Sequence, residues 1–122
     1  MNRFTRFRFL VATATVAISL SFAGAVEDSQ KLIKDGKYDE AIALLEKGDA
    51  KQPAVAKALV NAHMSKADYF MNAPEVPPMR KYPTALREYR KVLVYDKTNK
   101  KAQENVQLIE GIYKQMGREI PK

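Results

Sequence analysis

Three groups of residues in this 122-residue chain have the types that chemistry needs. His63, Ser65 and Asp68 supply the base, nucleophile and acid of a hydrolytic triad. On a helix, at about 100° per residue, Ser65 and Asp68 stand about 200° and 140° around the axis from His63, so the three cannot converge on one reacting atom. His63 is expected instead as a half-buried packing residue. Asp35, Asp39 and Glu40 surround Gly36, but the glycine precedes the second acid, which is not the order of a calcium loop. These acids are expected as charges at helix ends. Lys57 and Asn61, four residues apart, suit a carboxylate or a peptide backbone; the plainer reading is an exposed polar face.

The wider inventory narrows the chemistry further. The chain has no cysteine and one histidine. That excludes a disulfide framework, a thiolate zinc site, a thiol nucleophile, a cysteine lipid anchor and a multi-histidine metal cage. No glycine-rich phosphate cradle, His-Glu helix motif or nucleophile elbow is present. The expectation is a chain that is not an enzyme and carries no cofactor or metal.

Residues 1–25 read as a targeting segment. Arg3, Arg6 and Arg8 precede a 14-residue uncharged run from Phe9 to Phe22, which ends in Ala23, Gly24 and Ala25. A basic start, a short apolar centre and a small-residue end describe a secretory signal peptide cut after Ala25. A membrane span takes about 20 helical residues. The other readings of the same residues are an uncleaved anchor and a mitochondrial presequence. Export predicts a periplasmic or secreted protein of residues 26–122, with no membrane span after cleavage.

Charge is uneven along the remainder. The whole chain carries 21 basic and 14 acidic residues; without the three leader arginines the counts are 18 and 14. Arg80, Lys81, Arg87, Arg90, Lys91, Lys97, Lys100 and Lys101 face only Glu88 and Asp96 between positions 80 and 101. Such a segment is a solvated helix face or a contact for an acidic partner or anionic lipid. Export leaves nucleic acid as the weakest of these partners, and none is expected.

Helical spacing dominates after residue 25, with no sustained strand alternation. Residues 26–35 form an acid-first, lysine-later segment stopped by Gly36, a residue suited to φ > 0 just past a helix end. Tyr38, Ala41, Ile42, Leu45 and Gly48 make one apolar stripe over a helix predicted for residues 38–51, with Pro53 marking its exit. A third helix is predicted over residues 54–71, followed by a break at 72–81 that contains Pro74, Pro77 and Pro78. Pro83 then opens a fourth, striped by Tyr82, Ala85, Leu86, Tyr89, Val92 and Leu93 and ending near Asp96. Residues 100–116 form a fifth, with polar and apolar sides, ended by Gly117. Five helices predict an all-α domain.

The second and fourth helices repeat one another. Residues 37–47 align with 81–91 at an offset of 44, matching Tyr38 with Tyr82, Ala41 with Ala85, Leu45 with Tyr89 and Lys47 with Lys91. A tetratricopeptide period is about 34 residues, and the ten-residue break at 72–81 accounts for the surplus. Gly36, Tyr38, Ala41 and Leu45, with Pro53 closing the repeat, resemble the tetratricopeptide repeat family. The second copy keeps Tyr82, Ala85 and Tyr89 but has Lys97 where proline is usual. Asp28 and Ser29 stand where the family prefers a large apolar residue followed by glycine.

The resemblance implies an α-solenoid of antiparallel helix hairpins: repeat 1 at about 26–53, repeat 2 at about 54–97 with the insertion at 72–81, and a capping helix at about 100–116. Gly36, Tyr38, Ala41, Leu45, Pro53, Tyr82, Ala85 and Tyr89 would then be packing residues. The family's concave surface holds a peptide or helix, and here it would present Gln30, Lys34, Lys57, Asn61, Arg87 and Arg90. The implied function is an exported adaptor or scaffold that binds a protein partner of the cell envelope, with homodimerisation open. The alternative is a signal-anchored module whose basic segment 80–101 meets anionic lipid or an acidic partner.

Overall fold

A computed structural model describes residues 11–122, with side chains from residue 22. The basic start of the predicted leader, with Arg3, Arg6 and Arg8, lies outside the described residues. The described chain is all-α: α1 (Val11–Lys34), α2 (Tyr38–Glu46), α3 (Pro53–Asn72), α4 (Pro78–Tyr95) and α5 (Lys100–Gln115). No helix among the described residues is long and apolar enough to cross a membrane. Each helix packs on the next, and α1 also reaches α3; the α3–α4 interface is the most extensive.

Local chemistry sets the helix ends. Gly36 adopts φ +73°, and its N–H and that of Lys37 donate back to the carbonyls of Ile33 and Leu32. That pair of bonds satisfies two of the last four carbonyls of α1. α5 opens on Asn99, whose side chain accepts from the Ala102 N–H at 3.0 Å, and closes before Gly117 at φ +63°.

Three boundaries differ from the sequence expectation. The first helix, expected over residues 26–35, begins at Val11 and runs unbroken through the predicted cleavage site after Ala25. α2 stops at Glu46, so Lys47 and Lys51 lie beyond its end. Gly48 is where the Phe22 ring comes close, since a β-carbon there would sit 3.1 Å from it, and the Asp49 side chain accepts from the Lys51 N–H at 2.9 Å to form a turn. The break predicted for residues 72–81 shrinks to residues 73–77, because α4 begins at Pro78. At the first helical position a proline loses no bond. Pro83 lies inside α4; the carbonyl it cannot serve belongs to Met79, which is 77% exposed and can be solvated.

Two apolar clusters fill the interior. One joins Ile42 and Leu45 of α2 to Val55, Ala58, Leu59 and Ala62 of α3, with Phe22, Val26, Ile33 and Tyr95 against it. The other joins Ala67 to Ala85, Leu86, Tyr89 and Val92 of α4 and to Ala102 and Ile109 of α5. Ala41 and Ala85 are fully buried, and in a close-packed interior an added methylene at such a position is felt by its neighbours. Ser29 is also fully buried on α1, and its hydroxyl donates to the Val26 carbonyl at 2.7 Å. A small side chain with its hydroxyl satisfied within the helix lets α1 lie close to its neighbours.

Candidate functional site

Ala54, Lys57, Asn61 and Met64 follow one another along α3 at steps of three and four, and so share a face. On α1, Ser29 and Gln30 lie three and four residues after Val26 and share its side of the helix. The two faces enclose an open groove of about 460 Å³, with Asn99 also in its lining. Its floor is apolar, from Val26, Ala54, Ala58, Val60 and Met64. Its polar groups are side-chain amides and one ammonium: Gln30, Lys57, Asn61 and Asn99. The Asn99 oxygen is committed to capping α5, which leaves its NH₂ as a donor. Donors above an apolar floor match a peptide's carbonyl oxygens and apolar side chains.

The six partner-binding candidates therefore separate. Gln30, Lys57 and Asn61 meet in this groove. Lys34 is exposed on α1 outside its lining. Arg87 lines other clefts, on α4. Arg90 is tied down, donating to the Pro121 carbonyl at 2.7 Å and to Glu110 at 3.1 Å. Of the packing candidates, Leu45 and Tyr89 are each 1% exposed, Tyr38 and Tyr82 are half-buried, and Pro53 is the first residue of α3.

A second polar constellation lies between α3 and α4, and it was not expected from the sequence. His63 is 4% exposed, more deeply buried than its half-buried expectation, and its Nδ1 lies 2.7 Å from Oε2 of the equally buried Glu88. The other Glu88 oxygen lies 3.1 Å from Nζ of Lys66, which also donates to Asp39 at 2.7 Å. Burial pushes the Glu88 carboxyl up, but hydrogen bonds from His63 and Lys66 and the Lys66 charge outweigh it, holding the group at about 2. Burial pulls the Lys66 ammonium down, yet its bonds to Asp39 and Glu88 raise it on balance.

An ionised Glu88 accepts, so His63 donates from Nδ1. Nε2 of His63 is buried without a partner among the described residues, and the Tyr95 ring stacks on the imidazole with centroids 6.0 Å apart. Asp68 does not join His63. It accepts from the Tyr89 hydroxyl at 2.7 Å and pairs with Lys101, linking α3 to α4 and α5. No group of three or more potential metal-ligating side chains occurs among the described residues.

The sequence signal for the buried pair is its position. Glu88 interrupts the Ala85, Tyr89, Val92 stripe, and His63 stands between Leu59 and Ala67 on theirs. A charged residue at such a position has to find a partner. Comparison with protein-family models, with curated proteins and with solved structures finds no match.

Proposed function

We propose that this chain is a non-enzymatic binding protein built on tetratricopeptide-like repeats, two hairpins and a capping α5. In this reading it is exported and acts as an adaptor in the cell envelope. Its α1–α3 groove holds a peptide or helix of a partner protein. The observation that carries the reading is the meeting of Gln30, Lys57 and Asn61 over an apolar floor in that groove. Fully buried alanines at the two matched positions, Ala41 and Ala85, support the repeat assignment.

In-cell crosslinking of a C-terminally tagged chain, with mass spectrometry of the captured partner and of the chain's own N-terminus, tests it. One dominant envelope protein on a chain starting at Val26 is the expected result. Lys57→Glu with Asn61→Ala should then lose that partner while the melting curve is retained. Undiminished capture by the double variant would remove the groove from the argument. An intact Met1 in carbonate-washed membranes would favour the anchored module.

A further inference from the structure

A larger cleft, of about 660 Å³, opens where the start of α2 meets the end of α3 and the first half of α4. One wall is aromatic. The Tyr38 and Tyr69 rings lie 5.8 Å apart and Phe70 meets Tyr69 edge-on at 5.4 Å, with Tyr69 44% exposed. The α4 side carries Arg80 and Arg87, and Lys66 lies between them and α2.

The same helix face extends this charge. Arg80, Thr84, Arg87, Lys91 and Val94 recur at steps of four and three, which is one stripe of α4. Arg87, Lys91 and Val94 line a shallower depression with Lys122, continuous with the cleft through Arg87. The one acid in this stretch of α4, Glu88, is buried and bound to His63 and Lys66. It also lies 3.4 Å from the Arg87 guanidinium. A buried carboxylate that holds these cations limits the side-chain entropy they lose on meeting a ligand.

We propose that this cleft and its basic stripe form a second docking surface, for an acidic polypeptide segment that sets an aromatic side chain against Tyr69 and its carboxylates along Arg80, Arg87 and Lys91. The stripe is about 21 Å long at the helical rise, room for about six extended residues. A lipid surface fits less well. The aromatic wall lines a cleft between helices, which admits a narrow polypeptide segment more readily than the broad face of a bilayer.

A fluorescein-labelled dodecapeptide of glutamate and serine with a central phenylalanine, titrated against the full chain by anisotropy, tests the surface. Binding should weaken as salt is raised. Arg80→Ala with Arg87→Ala should cost about tenfold or more in affinity with an unchanged melting curve. Replacing the peptide's phenylalanine by alanine should also weaken it several-fold, and Lys57→Glu in the α1–α3 groove should have no effect. Equal peptide binding by the double arginine variant overturns the proposal. So does an absence of peptide binding when the chain pelleted with phosphatidylglycerol vesicles loses that association in the same variant.

Discussion

Nδ1 of His63 and Oε2 of Glu88 approach to 2.7 Å across the α3–α4 interface, each residue 4% exposed. The pair stands where α3 passes from one apolar cluster to the other, between Ala62 and Ala67. A second bond, from the Tyr89 hydroxyl to Asp68, crosses the same interface at 2.7 Å, and a one-turn slip of α4 along α3 would break both. For the His63–Glu88 pair, the slip would leave a carboxylate buried without a partner, which costs about 3–5 kcal/mol. The pair therefore disfavours other registers.

Glu88→Gln keeps the shape and removes the charge that His63 and Lys66 both use. Urea unfolding followed by circular dichroism at neutral pH should show a loss of about 2–4 kcal/mol. An unchanged midpoint would mean that the pair contributes no stability.

The same carboxylate sets a pH dependence. Its folded value of about 2 lies below the ordinary 4.5, so its stabilisation is complete above about pH 4.5 and is lost as pH falls towards 2. The shift corresponds to about 3 kcal/mol. Stability measured between pH 6 and pH 2 should fall more steeply in the parent chain than in Glu88→Gln, and the two curves should converge in acid. Parallel curves would refute the assignment.

Two glycines should respond to alanine with opposite signs. Gly36 holds φ +73° at the end of α1, and alanine there should cost about 1 kcal/mol. Gly111 lies inside α5, where a β-carbon would meet nothing within 4 Å, and alanine there should add about 0.5–1 kcal/mol. Thermal melts of the two variants, bracketing the parent, check both.

A chain ending at residue 99 loses α5 and with it Ala102 and Ile109, both fully buried against the rest of the core. Val92, Tyr89 and the half-buried Leu93 would then face water. The truncated chain should melt over a broad range and bind a hydrophobic dye. Retained cooperative melting would show that α5 does not act as a cap.

Much of the fold was legible because helix stripes repeat locally. The C-terminal ends of α1 and α5 follow from Gly36 and Gly117, whose effects need only near neighbours. The start of α4 differs because Pro74, Pro77 and Pro78 read as a break and Pro83 as the first helical residue. Pro78 itself occupies a position that needs no N–H, and Pro83 lies inside the helix, four residues after the exposed Met79. α2 is shorter than its apolar stripe because Gly48 completes the helical period in sequence but lies where the Phe22 ring approaches in space. Half of the candidate partner residues converged, since Lys57 and Asn61 share a helical face by spacing alone. The fate of Arg90 depended on Glu110 and Pro121, 20 and 31 residues away, and such pairings leave no periodic mark. Glu88 was conspicuous in its stripe, but the sequence did not say that His63 answered it.

The packing of each helix mainly on its sequence neighbours also bears on kinetics. Among the described residues, the side-chain bond that spans the most chain joins Asp68 to Lys101, a separation of 33 residues. Searches for such near partners close short loops, so contact order is low and folding is expected within microseconds to milliseconds. A chain that folds on that timescale leaves its apolar stripes exposed to other molecules only briefly.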